Sequence, residues 1–553
     1  VIALFVIAIV LFILGYRYYG AFLDRQFNID PSHATPAHTS YDGLDYVPAR
    51  TPVLMGHHFS SIAGAGPIVG PIFAVAIFGW LPAVLWIVLG SIFIGGVHDY
   101  SSLVISIRHK ARSIAQVAKE LMSPRAHKLY LVFIWFALVY VLTVFVDLTA
   151  LTFKSDGGVA TSSLLYIMLA VMLGVSLYRF KLSLPAASLV FVPLVFAAIY
   201  VGQLIPLGSP PAIAHGDPKT TWTVILLAYC FIASITPVWI LLQPRDYLSS
   251  YLLFACIVGG IGGIFISHPP LDTRAFLGFH SESLGYLFPA LFITIACGAC
   301  SGFHSIVASG TTAKQLGNEK SARPVAYGSM LVEGLLALIA VAAIVAAGGH
   351  IPKGSAPPQV FASGMGKFLG AFGIPGKLGI SFGLLALSTF LLTTLDTATR
   401  LARYIFEELF NMWGIRAHIL ATTATLVLPL WLALVQIKDP ATGQVIPAWK
   451  AIWPVFGATN QLLGGLALLT VGVWLKRTGR RVLFATLPMA FMLAVTLFAL
   501  VQLVIKHGVG VIGVIAALLF VLAVILIIEA VGAFSGDLID ESTTTQAAGG
   551  GDS

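Results

Sequence analysis

Apolar residues run along this chain in blocks of about twenty, the length a helix needs to cross a ~30 Å hydrocarbon layer, with short polar segments between them. The blocks predict membrane spans near 1–19, 59–79, 81–107, 128–152, 161–180, 184–206, 221–243, 247–267, 285–303, 325–348, 372–397, 416–437, 452–474, 482–505 and 509–531. That makes about fifteen helices and an all-α polytopic membrane protein; the short alternating strands of a transmembrane barrel are not in the pattern. The opening run VIALFVIAIVLFILGY lacks a basic start and a small-residue cleavage site, so it reads as a retained span rather than a signal peptide. Two polar segments, ARSIAQVAKELMS (111–123) and RLARYIFEELFNMWG (400–414), space their apolar residues as amphipathic helices and predict surface helices on the cytoplasmic side. The chain divides into a transmembrane region 1–375, a five-helix region 376–535, and a polar, Gly-rich tail 536–553 expected to be disordered.

One span is interrupted. In MGHHFSSIAGAGPIVGPIFAVAIFG (Met55 to Gly79), two Gly-Pro pairs, Gly66-Pro67 and Gly70-Pro71, sit inside an apolar run, and a helix is expected to unwind between Gly64 and Pro71. Freed backbone groups have no water to bond in lipid, so such a break survives where protein or a cavity satisfies it. The second half-helix, from about Pro67, then offers the positive end of its dipole to an anion. A packing kink is the better account of a lone Gly-Pro, but His57, His58, Ser60 and Ser61 just ahead of the break shift the balance towards a site. A weak echo, Ser61–Gly66 against Ser305–Gly310, falls in spans of opposite direction, as an inverted repeat requires.

Composition agrees with this picture: 58% of the 553 residues are hydrophobic, 10% are charged, and the mean hydropathy is +0.93. The net charge of +8 follows topology and not nucleic-acid binding. Of the 31 Lys and Arg, one face keeps Lys154, Lys219, Arg274, Lys353, Lys367, Lys377, Lys438, Lys450 and Lys506, and the other face takes the rest, Arg245 and the Arg108-to-Lys128 cluster among them. The positive-inside rule puts that second face in the cytoplasm, the N-terminus outside and the C-terminus inside. The four cysteines, Cys230, Cys256, Cys297 and Cys300, lie in apolar runs and read as small buried hydrophobes.

Ionisable residues within spans need partners or a cavity. His98 and Asp99 close one span where snorkelling is a sufficient account, and Asp147 sits near an outer end. Glu333 is a third of the way into its span and is harder to dismiss. Asp396 ends a run carrying Ser388, Thr389, Thr393, Thr394 and Thr397, whose hydroxyls bond their own helix or, beside an unwound backbone, hold Na⁺, while a carboxylate or histidine carries H⁺. WPVFGATNQLLGG, with Asn460 and Gln461, predicts a further polar break.

The stretches GHHFSSIAGAGPIVGPIFA, GWLPAVLWIVLGSIFIGGVHDYSSLVISIRHKARSIAQVAKE and WPVFGATNQLLGGLALL resemble the signature of the carbon starvation protein CstA family, over nearly the whole chain. The resemblance implies a multi-pass transporter of the cytoplasmic (inner) membrane for pyruvate or small peptides, used when carbon is scarce and coupled to H⁺. It also implies two inverted five-helix repeats, with 59–79 and 285–303 as the broken pair and 372–397 as the eighth core helix. On that plan Ser60, Ser61, Gly64, Gly66, Gly70 and Asn460 bind the substrate. His57, His58, His304, Glu333, Asp396, Thr389 and Thr393 handle H⁺ or Na⁺. No Walker motif points to ATP, and no cofactor or nucleic-acid partner is expected beyond substrate, ion and bilayer. Two other readings stand beside it. One is an intramembrane metal or haem protein using His57, His58, His98, Asp99 and His304, although neighbouring helical histidines diverge by about 100°. The other is a nutrient receptor that binds without flux.

Overall fold

The computed structural model describes residues 1–553 except 44, 209–216, 238–239, 283, 436, 439–444 and 535–553. The expected tail 536–553 lies outside the described residues. The helices are α1 Ile2–Gln26, α2 Thr51–Ile62, α3 Gly66–Phe78, α4 Trp80–Arg108, α5 Ile114–Leu121, α6 Pro124–Ser155, α7 Gly157–Tyr178, α8 Leu184–Leu204, α9 Pro218–Ile235, α10 Leu242–Ser267, α11 Leu287–Thr294, α12 (303–315), α13 Glu319–Ala346, α14 Pro357–Gly370, α15 Gly376–Phe410, α16 Ile415–Leu434, α17 Ala448–Arg477, α18 Leu483–His507 and α19 Val511–Phe534. Among the described residues thirteen helices are long and apolar enough to cross a membrane, or fourteen if α2 and α3, bent by 48° at their break, are counted as one span. The expected span 285–303 is no continuous helix: α11 stops at Thr294, residues 295–302 are non-helical, and α12 begins at Phe303.

Helix starts follow local chemistry. Ser113 and Ser123 accept from the amides of Gln116 and Ala126, and Asp156 and Asp217 accept from Gly158 and Lys219, so each satisfies an orphan N–H of the first turn. Pro124 and Pro218 take first-turn positions where a missing N–H costs nothing.

The centre is built from α6, α15 and α17: α6 packs against both of the others, and all three are buried along most of their apolar length, α17 entirely. By contrast α1, α8 and α19 expose most of theirs, and the exposed residues are Leu, Ile, Val and Phe, the surface a bilayer solvates. The order of elements recurs. The interrupted pair α2/α3, the long α4, the short α5 and the 32-residue α6 are answered by the interrupted α11/α12, the long α13, the short α14 and the 35-residue α15.

Four expectations change. The 400–414 segment is no separate surface helix, because nothing between Thr397 and Arg400 ends α15, which runs about 50 Å and projects beyond the hydrocarbon. Arg400 and Arg403 on that extension turn inward and donate to the carbonyls of Ala233, Ser234 and Thr236, closing the orphan end of α9. The 453–465 stretch does not break; α17 passes through Pro454 unbroken. Finally the residues between the expected spans 325–348 and 372–397 are not all connector, since they hold α14.

Candidate functional site

The first interruption is shorter than Gly64 to Pro71. Only 63–65 leave the helix, and α3 resumes at Gly66 with Pro67 in its first turn. Pro71 is held inside α3, where it withholds a donor from the Pro67 carbonyl. Among the described residues the amides of Ala65 and Gly66 meet no acceptor, so the positive end of α3 is open.

The second interruption, 295–302, crosses the first. A side chain on Gly66 would fall on the Cβ and Sγ of Cys297, and one on Gly70 would fall on the Thr294 carbonyl. Gly70 is thus a close-approach residue and not a cavity wall. Replacing Gly66 with Val is expected to force the two breaks apart and abolish transport; Cys297→Gly in the same chain is expected to restore part of it. Equal uptake by Gly66→Val and wild type would show that the crossing does not matter.

Asn460 and Gln461 on α17 brace the second break. The Asn460 side-chain oxygen accepts from the Phe303 amide at 3.0 Å and the Ser301 hydroxyl at 3.1 Å, and its backbone carbonyl accepts from Gly302 at 3.1 Å. Its amide donates to Cys297 Sγ, and Gln461 donates to the Phe292 carbonyl at 3.0 Å. These residues supply the hydrogen bonds that a broken helix lacks in lipid.

A closed cavity of about 10 Å³, room for about one water, lies where the breaks meet. Its lining includes Gly64, Gly66, Ser301, Thr394 and Asn460 together with the apolar Val141, Phe145, Phe303 and Phe456. The hydroxyls of Ser60 and Ser61 are turned away and bond the His57 carbonyl at 3.0 and 2.8 Å. Those of Thr393 and Thr394 bond their own helix, while that of Thr389 is buried without a partner.

Two buried charge clusters flank the crossing. In the first, His98 Nδ1 lies 2.8 Å from Asp99 Oδ1, and Asp99 Oδ2 lies 2.8 Å from His304 Nδ1. His304 Nε2 then lies 3.3 Å from Glu333 Oε2, and all four side chains are fully buried. His98 and Asp99 do not snorkel: they sit beneath α12 and α13 and chain two imidazoles to two carboxylates. The Glu333 oxygens have no other partner.

The second cluster was not foreseen. Arg245, read from sequence as a cytoplasmic loop charge, is wholly buried in the first turn of α10. It pairs with Asp396, bonds Asp246 at 2.7 Å and donates to the Thr393 carbonyl at 3.3 Å. Tyr229 donates to Asp396 at 2.7 Å, and His57 Nδ1 lies 3.4 Å from Asp246 Oδ2. His58 points elsewhere, to the Thr312 hydroxyl at 2.8 Å, so it ties α2 to α12. The proposed metal set therefore divides: His57 goes to Asp246, His58 to Thr312, and His98 with Asp99 to His304. Among the described residues no group of three His, Cys, Asp or Glu converges on a metal position. Asp147 is buried too, 2.7 Å from Lys219 Nζ and 3.1 Å from the Trp449 amide.

The sequence model for carbon starvation protein CstA matches residues 1–354 and 349–499. The chain belongs to this family. The peptide transporter CstA of Campylobacter jejuni is 33% identical, with 92% of this chain and 81% of that protein covered. The pyruvate/proton symporter BtsT of Escherichia coli K12 is 31% identical, over 90% and 80% respectively. The crystal structure of MhsT in complex with L-phenylalanine superposes with a TM-score of 0.51 at 15% identity, covering 87% of this chain and 99% of that one, and so shares the fold.

Proposed function

We propose that this CstA-family member is a secondary transporter of the cytoplasmic membrane, N-terminus outside and C-terminus inside, that imports pyruvate together with protons when carbon is scarce. The observation that carries the reading is the crossing of two interrupted helices, with an open half-helix N-terminus, at a closed cavity beside a buried chain of titratable groups. The recurring order of elements accords with two inverted repeats, α2 to α6 with α9 and α10 against α11 to α17, and α7 with α8 as an inserted hairpin. A substrate carboxylate meets the amides of Ala65 and Gly66, and Ser301, Thr394 and Asn460 hydrogen-bond the rest. The cavity lining carries no carboxylate, which suits a monocarboxylate better than a zwitterionic peptide whose ammonium group needs an acceptor of its own.

Protons are favoured over Na⁺ for an electrostatic reason. Beside the hydroxyls expected to hold Na⁺, Asp396 and the Thr393 carbonyl already bond the Arg245 guanidinium, a fixed cation where a mobile one would sit. The Asp99–His304–Glu333 chain is where a proton is taken up. Purified chain in proteoliposomes is expected to accumulate labelled pyruvate under an imposed pH gradient and not under a Na⁺ gradient. Dipeptide is expected to compete weakly. Accumulation driven by Na⁺ alone, or none under either gradient, would overturn the proposal.

A further inference from the structure

We propose that the groove between α2, α7, α8 and α10 binds an anionic phospholipid: an acyl chain lies in a cavity of about 440 Å³, and Arg50, Arg179 and Lys181 at its mouth hold the headgroup phosphate. The site is separate from the helix crossing; only its assignment to the cytoplasmic leaflet rests on the orientation proposed above.

The first support is position. Helix ends meet at the cavity: Pro52 in the first turn of α2, Tyr178 at the end of α7, Leu184 at the start of α8, Gln243 in the first turn of α10 and Gln315 at the end of α12. Together they mark one surface of the membrane. From Gln243 the lining continues along α10 through Tyr247 and Tyr251 to Phe254, about 16 Å of helix. That is close to the depth of one leaflet, half of a ~30 Å hydrocarbon core. The cavity opens sideways, because Val53, Tyr178, Tyr251 and Phe254 in its lining are exposed, as is Val258 one turn further along α10.

The second support is the chemistry of the wall. The lining contains no Lys, Arg, Asp or Glu. Its polar groups are engaged with one another or with neighbours. Tyr178 donates to Gln243 at 2.8 Å and Ser250 to the Tyr247 carbonyl at 2.7 Å; the Tyr247 hydroxyl shares hydrogen bonds with Ser188 and Tyr251, and His57 Nδ1 turns to Asp246. What the wall offers an occupant is aromatic and aliphatic surface, Val53, Leu177, Leu184 and Phe254 among it. Such a surface suits a hydrocarbon chain, whereas pyruvate or a peptide would leave polar groups unpaired against it.

The third support is charge. Arg50, Arg179 and Lys181 are close neighbours in sequence of Pro52, Tyr178 and Leu184, are exposed, and form no ion pair among the described residues. The acids nearby are already held: Asp246 by Arg245 and His57, and Asp45 by Lys314 at 3.9 Å. Phe180 and Leu182, which alternate with these cations in the turn between α7 and α8, are exposed as well. A turn of that composition sits at the headgroup level, its apolar side chains towards hydrocarbon and its charges towards phosphate. A basic pocket between helices on the cytoplasmic side is a place where anionic headgroups bind.

The test is native mass spectrometry of the purified full chain with added phosphatidylglycerol or phosphatidylcholine. Wild type is expected to keep phosphatidylglycerol under conditions that strip phosphatidylcholine. Arg179→Gln with Lys181→Gln is expected to weaken that retention by about tenfold or more. Val53→Trp, which fills the cavity without changing a charge, is expected to lose the lipid too. Equal retention of the two lipids by wild type would overturn the proposal, as would wild-type retention by either variant. Displacement by glycerol 3-phosphate would reduce the groove to a site for a free anion, and displacement by pyruvate or a dipeptide would make it part of the transport path; either result overturns a lipid site. If the double variant fails to fold, Val53→Trp decides. No flux enters these measurements, so failure of the transport reading leaves them standing. The four native cysteines are buried, so a membrane-impermeant maleimide reports on Arg179→Cys alone. Labelling from outside intact cells would move the site to the outer leaflet and refute the proposed orientation, whatever the lipid retention.

Discussion

Glu333→Gln is expected to reduce proton-driven pyruvate accumulation by about 100-fold or more, with the protein folded and exchange retained. Glutamine keeps the volume of the side chain and can still accept from His304 Nε2, now 3.3 Å from the carboxylate, so packing changes little. It removes the one carboxylate of the chain that has no other hydrogen-bond partner and is free to gain or lose a proton without breaking a second contact. Asp99 is different: both its oxygens are engaged, by His98 and His304. Asp99→Asn is therefore expected to disturb the fold as well as the coupling. For Glu333→Gln the apparent affinity for pyruvate should lose its dependence on external pH. Wild-type accumulation by Glu333→Gln would remove the sealed cluster from the coupling path.

How much of this was legible in the sequence depends on the kind of signal. Glu333 and Asp396 stand out because an acid inside an apolar run has few bland explanations. The α2/α3 break could be read from Gly-Pro chemistry, but its extent could not, since Pro67 and Pro71 are as compatible with the start and body of a helix as with a break. The echo between Ser61–Gly66 and Ser305–Gly310 led to the wrong register. The first copy contains the break, but the second lies in α12 after the break, which falls at 295–302. Small residues recur for helix approach as readily as for unwinding, and sequence gives no way to separate the two. Arg245 looked like a loop charge because it borders an apolar block; the packing of α2, α7 and α15 against α10 encloses it. Asn460 drew attention as polar, and its actual duty, to satisfy the second break, required knowing which helix lies opposite.

Arg245→Ala is expected to cost about 3–5 kcal/mol of stability, read as a lower melting temperature and a lower yield of folded protein in detergent. The guanidinium joins three helices: Asp246 on its own α10, Asp396 and the Thr393 carbonyl on α15, and through Asp396 the Tyr229 hydroxyl on α9. Its removal leaves the buried carboxylates of Asp246 and Asp396 without their cation, which is worse than having neither charge. Arg245→Lys is expected to recover only part of the loss, since an ammonium keeps the charge but cannot reach both carboxylates and a carbonyl from one planar fork. Arg245→Ala combined with Asp396→Asn should be more stable than Arg245→Ala alone, because the second change removes the charge that the first one stranded. That sign is the decisive measurement. If the double variant is the less stable one, Asp396 is held by its hydrogen bond to Tyr229 and not by the arginine.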